Sequence, residues 1–194
     1  MATIISTKTS GVGGLTVTGD ASGVLELASA NGTTAVTIDA SQNVSFTKAI
    51  NKAALPTGSV LQVVTATYST QTSNATSTAV NTGLSATITP TSSTSKILVI
   101  VDQNGCGKDT GDTALICYLY RNSTQIADVG ILVGYTGTTN ATFIGSSSAT
   151  CLDSPATTSA TTYKTQFYSW QNKASVWVQF AGSTSTITLM EIAA

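Results

Sequence analysis

Histidine is absent from the 194 residues of the sequence. That excludes Ser-His-Asp and Cys-His catalysis and every zinc site that needs an imidazole. Charge is scarce too: 9% of residues are Asp, Glu, Lys or Arg and the net charge is -1, against about 25% charged residues in an average domain. The eight basic residues stand singly, so no stripe exists to draw the chain to nucleic acid or anionic lipid. No apolar run reaches the roughly 18 residues of a membrane-spanning helix, and no membrane insertion is expected. The start, Met1-Ala-Thr-Ile-Ile-Ser-Thr-Lys-Thr-Ser10, has one Lys and a two-residue apolar core, and reads as neither a signal peptide nor a transit peptide. Helical periodicity is missing as well: no dozen residues place apolar side chains at i, i+3, i+4 and i+7.

What is present is hydroxyl and aliphatic. Roughly three residues in ten are Ser or Thr, and 41% are hydrophobic. Disorder needs high net charge and few β-branched residues; this mixture suits strands that show hydroxyls to water and aliphatics to a core. The chain therefore reads as all-β. Strand candidates from Ser59 onward are 59–68, 83–89, 95–101, 114–121, 125–133, 141–145, 162–170, 175–181 and 185–193. Their spacing predicts an antiparallel β-sandwich, a jelly roll being the best single match.

Two of these strands are apolar on both faces, Ile97-Leu98-Val99-Ile100-Val101 and Leu115-Ile116-Cys117-Tyr118-Leu119-Tyr120. A sheet with one wet face should alternate, so their second face needs cover, from another copy or from the long 70–82 and 134–160 connections. The first 55 residues differ. Their apolar residues come as doublets, Leu15/Val17, Leu25/Leu27, Val36/Ile38 and Val44/Phe46, separated by Gly/Asn/Asp/Ser turns. Residues 11 to 50 hold only eleven large apolar side chains, too few to offset the entropy of ordering forty residues. Scraps this short make sense if neighbouring chains complete them, as repeats complete one another.

Sites of chemistry are few. "DQNGCGKDTGD" groups Asp102, Asp109 and Asp112, yet Cys106 and Thr113 stand where a calcium loop needs ligands. Asp102 and Asp109 also break the phosphate-loop frame that Gly107-Lys108 invites. A polar hairpin loop between the Ile97 and Leu115 strands is the simpler expectation. Asp109 with Asp112, or Asp128 with Asp153, would be the carboxylate pairs of a glycosidase, but only 6% of residues are aromatic for stacking on sugar. Tyr163, Phe167, Tyr168, Trp170, Trp177 and Phe180 gather near the C-terminal end, with core packing the first role expected of them. Five N-x-[ST] triplets, at Asn31, Asn43, Asn74, Asn122 and Asn140, are close to the roughly three that this Ser/Thr content supplies by chance. Cys106, Cys117 and Cys151 are expected as thiols, with loop-end placement leaving a Cys106–Cys151 disulfide as the alternative. No catalytic residue, metal site or cofactor is expected.

The pattern "LELASANGTTAVTIDASQNVSF" (25–46), after a Thr-rich "MATIISTKTSGVGG" start, resembles the N-terminal stalk repeats of bacteriophage tail-fibre and related virion-fibre proteins. "LPTGSVLQVV", "TSSTSKILVIV" and the terminal "STITLMEIAA" resemble the distal β domain that follows such stalks. Where many relatives have Gly-Ile-Gly after the turn, this chain has Ser45-Phe46-Thr47. The resemblance implies a homotrimeric fibre, head fibre or capsid decoration protein, located in the virion and assembled in the host cytoplasm. It implies a docking segment (1–20) that meets another virion protein through Ile4, Ile5 and Val12. A short intertwined trimeric stalk (21–55) would be built on Leu15, Val17, Leu25, Leu27, Val36, Ile38, Val44 and Phe46, followed by a β-sandwich head (56–194). Loops of the head carrying Asp109, Asp112 and Tyr135 would face outward, toward a host-surface glycan in the receptor-binding variant of this reading. A polysaccharide-cleaving spike is the third alternative.

Overall fold

The computed structural model describes residues 24–28, 34–47, 55–140 and 142–194. The chain divides into two compact units, Met1–Ala54 and Leu55–Ala194.

In the first unit, β1 (Leu25–Ala28), β2 (Thr34–Ile38) and β3 (Val44–Phe46) form one antiparallel sheet in that order. The second turn is closed by Asp39. Its Oδ1 accepts the backbone N–H groups of Ser41 and Asn43, both at 2.9 Å, and its Oδ2 accepts Asn43 Nδ2 at 3.0 Å. This is the local bonding that makes Asp and Asn turn residues. Within one chain these three strands pair with one another. The doublet Leu15/Val17 and the docking residues Ile4, Ile5 and Val12 lie outside the described residues.

The second unit is a sandwich. Its strands are β4 (Val60–Tyr68), β5 (Thr72–Asn74), β6 (Val80–Ile88), β7 (Lys96–Lys108), β8 (Leu115–Arg121), β9 (Thr124–Val133), β10 (Phe143–Asp153), β11 (Thr161–Ser169), β12 (Val176–Val178) and β13 (Ser185–Ile192). One sheet runs β4-β13-β7 with β10 on the far side of β7, and β12 and β5 continue it beyond the end of β13. The other runs β6-β11-β8-β9. With the short β12 and β5 set aside, the four-stranded orders β4-β13-β7-β10 and β6-β11-β8-β9 are the jelly-roll arrangement.

Alternation builds the core. β6 buries Thr82, Leu84, Ala86 and Ile88, β11 buries Tyr163, Thr165 and Phe167, and β7 buries Ile97, Val99 and Val101. On β6 and β11 the intervening outward positions carry mostly polar side chains, among them Ser85, Thr87, Thr162 and Lys164, whereas on β7 they are Leu98 and Ile100.

Two strands are longer than their apolar segments. β7 runs on through Asp102-Gln-Asn-Gly-Cys-Gly-Lys108, which the sequence reading assigns to a loop. Buried partners permit this: Gln103 Nε2 donates to Ser185 Oγ at 2.8 Å and its Oε1 accepts Thr165 Oγ1 at 3.0 Å. β10 likewise extends the short 141–145 segment through Ser146–Asp153 and pairs with β7 as far as Asp153↔Ile97. Much of the 134–160 connection is therefore strand, and the loop is confined to its ends.

Gly107 is required by close approach. A Cβ there would lie 2.1 Å from Trp177 Nε1, because Trp177 on β12 sits directly opposite Gly107. Gly107→Ala should displace the indole, lower stability by about 1–3 kcal/mol and red-shift tryptophan emission. An unchanged spectrum and midpoint would show that the indole does not rest on that glycine.

Glu191 fastens the sandwich rim. It is fully buried, accepting Gln62 Nε2 at 2.5 Å and both the N–H and the hydroxyl of Thr91 at 2.7 Å. Burial pushes its pKa up, but the bonds from Gln62 and Thr91 outweigh burial and hold it below the usual range. With the folded value depressed, its contribution is complete above the unfolded value of about 4.3 and fades as pH falls through the folded value. Glu191→Gln should cost about 1–3 kcal/mol at pH 7 and flatten the acid limb of the stability profile. A variant with wild-type acid sensitivity would contradict this assignment.

Candidate functional site

Two arrangements assemble residues singled out from the sequence. The first is an apolar grid on the three-stranded sheet. Leu25 pairs with Ile38 and Ile38 with Val44, while Leu27 pairs with Val36 and Val36 with Phe46. Directly opposed residues share a face of a sheet, so all six side chains stand on one side, and Glu26, Thr37 and Ser45 stand on the other. Leu27, Val44 and Phe46 are each more than half exposed, and Leu25 is 42% exposed. Apolar side chains gathered in this way call for cover.

The second is a loop cluster in the sandwich unit. Tyr135 donates to Asp112 Oδ1 at 3.2 Å, and Asp112 also forms an ion pair with Lys173. Tyr135 meets Trp170 edge-on, ring centroids 5.3 Å apart, and is 46% exposed. The hydrogen bond from Lys173, with that from Tyr135 behind it, holds the Asp112 carboxyl below the usual range. Asp112 is placed by a left-handed backbone, φ 53°, and its N–H donates to Gly137 O. Asp109 stands exposed at the start of the same loop, with its N–H donating to Ser175 O at 3.0 Å. Of the three loop residues named from sequence, the structure joins Asp112 and Tyr135. Trp170 and Lys173 complete the cluster; a Trp-Gln-Asn-Lys turn after a strand was the available signal.

The other carboxylates have partners of their own. Asp153 accepts two bonds from Arg121 Nη1, at 2.7 and 2.9 Å, and one from Tyr163 Oη at 2.7 Å. Asp128 accepts Gln125 Nε2 at 3.3 Å. The C-terminal aromatics do not form one surface, because β11 alternates: Tyr163 and Phe167 enter the core while Tyr168 faces out to Tyr118 at 5.9 Å. Trp177 is 9% exposed and packs on Phe180, which leaves Trp170 as the tryptophan beside an exposed ring.

All three cysteines are free, so the Cys106–Cys151 alternative is not formed. Burial pushes the Cys106 thiol up to about 12, and the fully buried Cys117 thiol is raised for the same reason. Neither supplies a thiolate near neutral pH. Asn74, in one of the N-x-[ST] triplets, is buried, with Nδ2 donating to Thr78 O at 2.8 Å and Phe167 O at 3.1 Å; its amide serves the fold.

Lys108 was missed as a structural residue. Its side chain is fully buried, with Nζ donating to Thr113 O at 3.1 Å and Thr136 Oγ1 at 2.7 Å. It ties the 109–114 and 134–140 loops to the end of β7, and burial lowers its pKa. Among the described residues no group of three or more His, Cys, Asp or Glu is placed to hold a metal ion.

Neither a protein-family model nor a curated protein sequence matches the chain. Among solved structures it is similar to the protein in the crystal structure of the infectious bursal disease virus VP2 subviral particle, with 16% identity and a TM-score of 0.41. The similarity covers 70% of this chain and 34% of that one, so this chain spans about a third of that protein's length.

Proposed function

We propose that this chain is a non-enzymatic structural protein of a phage virion, a fibre or decoration protein that acts as a homotrimer and displays the jelly roll. The reading takes its biological setting from the stalk resemblance. The single observation that carries the assembly is the grid of Leu25, Ile38, Val44, Leu27, Val36 and Phe46 on one face of a three-stranded sheet. Such a sheet is about 14 Å wide at the usual strand spacing. Three of them close a triangular prism whose faces stand about 4 Å from its axis, a distance that leucine and phenylalanine side chains fill. Four would leave an open channel. In this reading the function is mechanical: the N-terminal segment docks on the virion, the stalk locks three copies together, and the charge-poor, hydroxyl-rich heads face outward.

Sedimentation equilibrium of the full chain tests it. The expected mass is three times the 19.7 kDa of one chain, and Val36→Asp with Phe46→Asp should reduce it to that of a single chain. A monomeric wild type would end the reading.

A second reading, contact with a host-surface glycan at the tip, is favoured by one observation: the exposed Tyr135 ring braced on Trp170 beside the Asp112–Lys173 pair. Aromatic faces next to charged hydrogen-bonding groups are suited to sugars. Tyr135→Ala should weaken binding to host polysaccharide at least tenfold without changing the native mass. Failure of the wild-type protein to bind any polysaccharide from the host envelope would dismiss it.

A further inference from the structure

The two outer faces of the sandwich are unlike. On the β6-β11-β8-β9 sheet, one row across the strands reads Asn81, Gln166, Tyr118, Asp128 and another reads Ser85, Lys164, Tyr120, Gln125. These two rows are polar on every strand. On the larger sheet, the row through β4, β13, β7 and β10 reads Val63, Met190, Leu98, Leu152. The next row reads Thr65, Thr188, Ile100, Thr150, and Val60 and Ile192 flank the first row on its other side. Val60, Val63 and Leu152 are 51%, 54% and 55% exposed, and Ile100 is 38% exposed. Charge enters only at the margins, through Lys96 beyond the apolar row and Asp102 beyond the threonine row.

We infer that this outer face is where the heads of sibling copies pack against one another. The inference rests on the trimeric reading and deepens it. Four strands span about 19 Å and the four rows about 20 Å, giving roughly 400 Å². A stable free-standing interface buries about 800 Å² per partner, so this face is too small to hold two independent heads together. It is large enough once the heads are tethered. Copies joined through their N-terminal units see one another at an effective concentration in the millimolar range, which no free partner of similar chemistry matches. Sibling copies are therefore the occupant that this area and this lack of charge select. The width agrees: three faces about 19 Å wide stand about 5.5 Å from a shared axis, close to half the roughly 10 Å at which sheets pack face to face. A polar partner would meet hydrogen-bonding groups on the opposite sheet, whereas here it would desolvate against Val63, Leu98 and Leu152.

The test uses the full-length chain. Thr188→Cys places a thiol in the middle of the face and Ser85→Cys places one on the polar sheet. Both are treated with a short bismaleimide, with the wild type as the blank for its native cysteines. The expected result is inter-copy cross-linking at position 188 and not at 85. Adding Val63→Glu and Leu152→Glu, both at exposed positions, should reduce the cross-link at least tenfold while the native mass stays trimeric through the N-terminal grid. A trimer that fails to cross-link at 188, or whose cross-link survives the two glutamates, overturns this inference and leaves the trimeric reading standing. A wild-type monomer overturns both.

Discussion

The side chain of Gln103 holds the two layers of the sandwich in register. It belongs to β7 in the larger sheet, yet its Oε1 takes a hydrogen bond from Thr165 on β11 in the smaller one. Thr165 in turn bonds the hydroxyl of Thr82 at 2.5 Å. On its own sheet Gln103 donates to Ser185, whose oxygen also accepts Asn104 N–H at 2.9 Å and Gln179 Nε2 at 3.1 Å. All five side chains, Gln103, Thr165, Thr82, Ser185 and Gln179, are fully buried. A buried polar group without a partner costs about 1–3 kcal/mol, so sliding β7 by one residue would orphan several groups at once. The same slip would turn Ile97, Val99 and Val101 out to water. Apolar packing makes the sheets face each other, and this network selects one alignment of them.

That alignment decides the character of the outer surfaces. Once Val99 and Val101 are fixed inward, Leu98 and Ile100 must point outward, because successive residues of a strand face opposite ways. A strand apolar on both faces thus becomes a core strand with an uncovered back. The back of β8 differs: Ile116 is 2% exposed within the single chain, with Tyr168 of β11 directly opposite it and Tyr118 next along the strand on the same face. Of the two strands apolar on both faces, one finds much of its cover within the chain and the other leaves Ile100 exposed.

This division explains what could be read from residues alone. The jelly roll was legible because its core strands alternate or run apolar, and β4, β8, β9, β11 and β13 fall close to their expected bounds. β10 was less so. Its Gly-Ser-Ser-Ser-Ala-Thr run looks like a loop, and it is held in the sheet by β7 on one side and by bonds such as Ser147 Oγ to Val129 O at 2.7 Å. The far half of β7 was hidden in the same way, since Gln, Asn and Gly carry no strand signal until their buried partners are known. Asp112 and Tyr135 were each visible as loop residues, but their meeting depends on Lys173 and Trp170 from a third loop. The row Val63, Met190, Leu98, Leu152 could not be read at all, because it exists only in the pairing of four strands distant in sequence.

Edges complete the argument. Proteins with exposed strand edges usually guard them with charge, proline or bulges, and a chain with 9% charged residues has few guards to place. In the three-stranded sheet, β1 and β3 are both edges and carry Glu26 as their one charged residue. In the proposed trimer, a three-fold axis would set the β1 edge of one copy beside the β3 edge of the next, so that the assembly covering the apolar grid would also screen the unguarded backbone. A lone chain would leave both exposed, and a face-to-face pair would cover the grid while leaving every edge open. For the proposed trimer, low charge on these edges would favour assembly, since guards there would repel the neighbours that the grid needs.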